Sequence, residues 1–342
     1  MSMLNRLISN DLPRSRVLAV LLIGLLLALA FTPFLFPGVK ALNVAAKVLV
    51  FVVLVASFDL LLGYTGIVSF AHTMFFGIGA YGIAIATTRL GPTWEALAVG
   101  LGASLLLSLL LALAVASAFQ TLASQLSELT GGEDGLTFKV PELLSPSFEW
   151  AEEPFLGVSL DGRLICYYLL FVLAVVLLLA LLRIVNSPFG RVLQAIRENE
   201  FRAEAIGYRV VVYRTVSSIL SALFACLAGA MLALWLRYNG PDTSLSFELM
   251  LDVLLIVVIG GMGTIYGAAI GSALFLVAQS YLQDLLRLGS EAASGLPWLS
   301  SLLSPDRWLL WLGVLFVLSV YYFPTGVVGR LRAPARGQKA PH

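Results

Sequence analysis

Nine long apolar stretches dominate this chain, at about 17–37, 42–62, 66–88, 94–118, 162–185, 213–236, 247–262, 264–286 and 307–323. A bilayer crossing needs about 20 apolar residues in a helix. Inside lipid every backbone group must be bonded within its own segment, so the stretches predict helices. A membrane β-barrel would show short segments of alternating polarity, and none is present. Composition agrees: of 342 residues, 59% are hydrophobic and 12% charged, against about 25% charged in a soluble domain. The first stretch follows Arg14 and Arg16, has no small-residue cleavage site and is too long for a signal-peptide core. It is expected to remain as an anchor.

Charge placement predicts orientation. Arg6, Arg14 and Arg16 precede the first stretch. Arg191, Arg197, Arg202, Arg209 and Arg214 follow the fifth, and Arg330, Arg332, Arg336 and Lys339 close the chain. By the bias of Lys and Arg toward the inside, all three regions are expected to be cytoplasmic. The loop 119–161 holds eight acids against Lys139, and its lack of basic residues suggests the outside. An inside N-terminus and an outside loop require an odd number of crossings, yet four apolar stretches separate them. One must not span. The glycine-rich stretch 66–88, with Gly66, Gly77, Gly79 and Gly82, is the expected exception, because irregular backbone at membrane depth is tolerated where it lines a cavity or is buried in protein. The expectation is an all-α integral membrane protein. It has about eight transmembrane helices plus one re-entrant or broken glycine-rich segment, arranged as a two-half pseudo-repeat.

Three pieces carry chemistry. GYTGIVSFAHTMFFGIGAY at 63–81 sets small residues, Ser69 and His72 into an apolar run. Buried polar groups at such depth bond across helices or line a pathway. Asp59 and Lys47, in the stretch before, could pair with each other or with His72. VIGGMGTIYGAAIGS at 258–272 is a second glycine-dense break, with Gly260, Gly261 and Gly263. Transporters place substrate near discontinuous helices in the two halves, and close helix packing would also explain the glycines. The candidate translocation path is therefore Asp59, Gly66, Ser69, His72, Gly77, Gly79, Gly260, Gly261 and Gly263.

The third piece, NSPFGRVLQAIRENEFRAEAIGYR at 186–209, predicts a short amphipathic helix. Ser187 is placed to cap it and Pro188 to open it. Phe189, Val192, Leu193 and Ile196 share one face at helical spacing. Such a helix lies on the membrane or docks into a partner's groove. The loop 186–212 is thus a candidate docking element on the cytoplasmic face. No phosphate-binding loop, HExxH or GxSxG motif occurs, and Cys166 and Cys226 form no CxxC pair. Neither an enzyme nor a metal site is expected, and any ATP must bind elsewhere.

These pieces, with LTGGEDGL at 129–136 and FPTGVVG at 323–329, resemble the permease subunits of ATP-binding cassette importers for branched-chain amino acids, the LivM-type more than the LivH-type. The resemblance implies a single permease domain over 1–342 in a bacterial inner membrane. Both termini would be cytoplasmic, with a periplasmic loop at 119–161 and a basic cytoplasmic tail at 330–342. It implies a second permease subunit, two cytoplasmic ATPase subunits that bind ATP and Mg, a periplasmic substrate-binding protein and membrane lipid as partners, with no nucleic acid. The resemblance makes 186–212 a cytoplasmic coupling loop that rests on the ATPase, carried by Gly190, Arg191, Arg197, Glu198, Glu204, Ala205 and Gly207. No cofactor would be bound by this chain. Two departures stand out. The apolar run usual before LTGGEDGL is reduced to FQTLASQ at 119–125, and Asp59 stands where the family more often has a neutral residue. Urea or short-amide permeases are the nearest alternative; an ATP-independent channel or secondary transporter is another.

Overall fold

The structure, a computed structural model, describes residues 16–36, 38–111, 130–149, 160–292, 302–323 and 325–332. The FQTLASQ stretch, the tail beyond 332 and parts of the loop 119–161 lie outside them. Helices α1 (Arg16–Leu35), α2 (Val39–Thr65), α3 (His72–Leu90) and α4 (Trp94–Leu111) come first. Then follow α5 (Gly162–Val185), α6 (Pro188–Glu198), α7 (Glu200–Ala205) and α8 (Val210–Leu236). The last set is α9 (Pro241–Ser244), α10 (Phe247–Gly260), α11 (Ile265–Ala292), α12 (Trp308–Tyr322) and α13 (Gly326–Arg332). By length and composition eight helical stretches can cross a membrane among the described residues, and His72–Leu90 is not one of them. This fits the expected exception at 66–88.

Helix α2 is the axis of the bundle. It is apolar on all sides and buried along nearly its whole length, as a helix with no polar face must be. Helices α5, α8, α10 and α11 pack around it, α3 packs between α8 and α4, and α1 and α12 lie outermost. In lipid the hydrophobic effect does not draw helices together, so close approach at small residues does that work. At the crossing of α3 and α8, a Cβ on Gly79 would overlap the Cys226 carbonyl and one on Gly229 the Phe76 carbonyl. At the crossing of α3 and α4, a Cβ on Gly100 would stand 2.5 Å from the Gly82 carbonyl. Hydroxyls inside helices donate to their own backbone, as Thr87 does to Ile83 and Ser104 to Gly100.

One end of the bundle is closed by side chains. Asn43 Oδ1 accepts from Arg163 Nη2 at 2.9 Å and from Trp235 Nε1 at 3.2 Å, with the Arg163 guanidinium over the Trp235 ring at 5.4 Å. Lys40 pairs with Asp284 and lies over Tyr281. A two-residue antiparallel pairing, Leu136 with Asn239 and Thr137 with Tyr238, ties the loop after α4 to the end of α8. The sequence gives no sign of this strand pair, since two residues are too few for any periodicity. The opposite end carries α6, α7 and α13.

Candidate functional site

Helix α2 stops at Gly66, whose φ of +75° favours glycine and whose N–H donates back to Leu61. Residues 66–69 then run without regular structure and 70–71 turn into α3, with alternating exposure, Val68 at 52% and Phe70 at 58%. Among the described residues, the N–H groups of Val68, Ser69 and Phe70 have no backbone partner. The Phe70 ring reaches Phe247 at the start of α10, 6.4 Å between centroids. The first break is therefore a strap laid along α10, on a face that also exposes Phe247, Leu251 and Met262.

The second break is a tight turn. Helix α10 ends at Gly260, Gly261 has φ +115° and Gly263 φ +77°, and α11 starts at Ile265. Thr264 Oγ1 donates to the Gly261 carbonyl at 2.6 Å. The glycines are required by contact as well as by conformation. A Cβ on Gly271 would stand 2.6 Å from the Ile256 carbonyl, and one on Gly260 would overlap Gly267. Helix α13 closes the outer side, with Gly326 against Gly261.

The two breaks meet. A Cβ on Gly63 would overlap Asp59 and the Gly263 amide, and would lie 2.6 Å from the Gly263 Cα. Asp59, almost fully buried, accepts the Gly263 N–H at 2.8 Å through Oδ1. Its Oδ2 is buried without a partner among the described residues. From the other side Arg197 of α6 donates through Nη1 to the Gly63 carbonyl. That same Nη1 would stand 3.3 Å from a Cβ on Gly263, and the Arg197 Cγ 3.3 Å from one on Gly66.

Helix α6 forms where the spacing predicts it. Val192, Leu193 and Ile196 are buried, and Phe189 stacks on Tyr213 at 5.6 Å. Ser187 occupies the cap position but does not cap. Its hydroxyl donates to the Ile184 carbonyl at 2.6 Å. The reason is proximity: α5 ends two residues earlier and leaves carbonyls without helical partners. Gly190 lies against the Val185 backbone, where no side chain fits. Asn199 does cap α7, accepting from the Arg202 N–H at 2.9 Å. Arg214 grips Glu200 through two bonds of 2.9 Å. Arg191, Glu198, Glu204, Ala205 and Gly207 are all exposed on this element, and Gly207 has φ +97°.

The expected path residues fall into two groups. Asp59, Gly66, Ser69, Gly260, Gly261 and Gly263 gather at the strap, the tight turn and their meeting point. His72, Gly77 and Gly79 lie inside the packing. The His72 Nε2 is 2.9 Å from Ser57 Oγ, its ring is 5.3 Å from that of Phe58, and it is fully buried. Gly77 makes room for Leu245. Neither Asp59 nor His72 pairs with the exposed Lys47. Sequence reasoning missed Ser221, which donates to the Ser57 carbonyl at 2.6 Å. A lone serine in an apolar run gives no signal of its own. Among the described residues no group of three or more metal-ligating side chains gathers.

A family profile described as "Branched-chain amino acid transport system / permease component" matches residues 40–320. The chain is 26% identical, over 272 residues, to the high-affinity branched-chain amino acid transport system permease protein LivM of Salmonella typhimurium. That match takes in 71% of this chain and 64% of the relative. The LivM protein of Escherichia coli is 26% identical over 291 residues, covering 77% and 68%. The chain thus spans about two thirds of the length of these curated relatives. No solved structure matches it.

Proposed function

Because this chain belongs to the permease components of branched-chain amino acid transport systems, we propose that it is the membrane-spanning subunit of an ATP-driven importer that carries branched-chain amino acids into the cytoplasm. The observation that carries the reading is the strap at 66–71. Unpaired backbone cannot face lipid, where each unmet group costs several kcal/mol. It can face a partner subunit or a watery path. A path between this face and a second permease subunit would satisfy Val68, Ser69 and Phe70 and would wet the exposed face of α10. A zwitterionic substrate suits such a lining, because helix ends and free backbone dipoles offer both signs of partial charge.

The α6 end faces the cytoplasm in this reading. Arg191, Arg197, Arg202, Arg209 and Arg214 gather there, as the inside bias of basic residues requires. The N- and C-terminal regions share that side. Two ATPase subunits would dock on the exposed surface of α6 and α7, and a periplasmic binding protein on the opposite end. Phe201 is the expected anchor for the ATPase, since it is 85% exposed between charged neighbours and large aromatic side chains dominate the energetics of docking.

The test has two stages. A tag on this chain should co-purify two ATPase subunits and a second permease from detergent-solubilised native membranes. That complex in proteoliposomes, with its binding protein, should take up labelled leucine, isoleucine or valine only with ATP. Uptake by this chain alone without ATP would establish a channel or secondary transporter instead. Uptake of urea but not leucine would correct the substrate.

A further inference from the structure

Arg197 was singled out from the sequence as a surface contact for the ATPase. The structure shows it turned inward, onto the point where the two glycine breaks touch. Three contacts converge within a few ångströms. Asp59 Oδ1 accepts the Gly263 N–H at 2.8 Å. Arg197 donates to the Gly63 carbonyl. Gly63 and Gly263 press together so closely that neither tolerates a Cβ. Asp59 and Gly263 are 204 residues apart in sequence, and Arg197 and Gly63 are 134 apart. Each bond therefore joins separate elements: α2 to the α10–α11 turn, and α6 to the end of α2.

We propose that Asp59 and Arg197 form a latch that holds the strap and the tight turn together, so that displacement of α6 draws Arg197 off Gly63 and parts the two breaks. The physical case rests on how the two bonds differ. The Asp59 bond is buried, and without it the Gly263 N–H has no other acceptor at that spot. The Arg197 bond is the accessible one. Arg197 is exposed and comes from a short helix whose Val192 and Ile196 pack on Ala203 and Val210. A moderate movement of α6 breaks the second bond first, and the breaks part once the Asp59 bond, left without that support, opens as well. A guanidinium is suited to the task because its fork can hold one carbonyl while facing a second backbone. Arg197 is thus a positioning residue, and Gly63 and Gly263 are the backbone it positions.

The latch rests on the importer reading only for what moves α6, and its test does not depend on transport. Ser69→Cys places a thiol on the strap. The native cysteines Cys166 and Cys226 are buried and report general loosening. In native membranes carrying the full complex, a membrane-impermeant thiol reagent is applied from the α6 side. Arg197→Ala and Asp59→Ala are each expected to raise the labelling rate at Ser69→Cys about ten-fold, the size of effect that loss of one charged hydrogen bond gives, while Cys166 and Cys226 stay protected. Arg197→Lys is expected to keep labelling slow, because an ammonium still donates to the Gly63 carbonyl. Asp59→Asn is expected to do the same, because its amide oxygen still accepts from Gly263. Unchanged labelling in the two alanine variants overturns the latch. Equal acceleration at the native cysteines also overturns it, since the residues would then be merely structural. Failure of ATP-driven uptake by the unmodified complex would count against the importer reading alone.

Discussion

The two glycine breaks interrupt membrane helices at the same end of the bundle, yet they are built in opposite ways. The first is six residues of open, exposed chain laid along α10. The second turns within a few residues, using two glycines at positive φ and a threonine that bonds its own turn. Both start with glycine, and glycine serves each differently. At Gly66 it supplies a left-handed cap, where only the Arg197 Cγ, at 3.3 Å, would crowd a Cβ. At Gly260, Gly267 and Gly271 it lets one backbone lie against another. A break made for access and a break made for packing look alike in composition, because both call for the absence of a side chain.

Substitutions at the breaks should separate these roles, and among glycine replacements the largest effect is expected where they touch. Gly63→Ala drives a methyl into Asp59 and the Gly263 backbone, neither of which can yield freely. A loss near the top of the ~1–3 kcal/mol range for overpacking is expected, read as a fall in the melting temperature of the purified protein in detergent. Next comes a charge on each break. Val68→Asp on the strap should cost no more than ~0.5 kcal/mol, the usual size for a wetted surface. Ile259→Asp beside the tight turn, where the native side chain is buried, should abolish stable insertion, scored by yield in the membrane fraction. A comparable loss of insertion with Val68→Asp would show that the strap faces lipid and would end the pathway reading.

A smaller effect is expected for Gly66→Ala. Only the flexible Arg197 side chain, 3.3 Å from the new Cβ, has to give, but a non-glycine residue at left-handed φ costs ~1–2 kcal/mol, which thermal unfolding can resolve from the larger Gly63→Ala loss. Gly207→Pro tests the far side of the same machinery. Proline fixes φ near −65° and removes the N–H that bonds Glu204. Insertion should remain normal while substrate-stimulated ATPase activity in the assembled complex falls. Unchanged stimulation would remove the α6–α7 element from coupling. A modest change is Asn43→Leu at the opposite end of the bundle. It removes the acceptor shared by Arg163 and Trp235, and interhelical hydrogen bonds in membranes average ~0.6 kcal/mol each. A shift in melting temperature with unchanged uptake would mark that end as a fixed clasp.

Sequence alone specifies the helices, the two breaks and the amphipathic α6. These follow from local rules: apolar length, glycine at chain reversals, proline at a helix start and the spacing of Phe189, Val192, Leu193 and Ile196. It also isolated 66–88 as the segment unlike the other eight, since a charge count along the chain is one-dimensional information. Which of these marked residues meet depends on how the helices pack. His72 and Asp59 read alike in sequence as ionisable groups in apolar runs. One bonds a serine within the packing, and the other holds a glycine amide 204 positions away. Arg197 reads as one of many surface arginines, and its reach to Gly63 depends on how α6 folds back under α2. Ser221 and the Asn43 clasp leave no local trace at all. A helix announces itself through its neighbours in the chain, whereas a contact between helices depends on crossing angle and depth, which no short window of sequence contains.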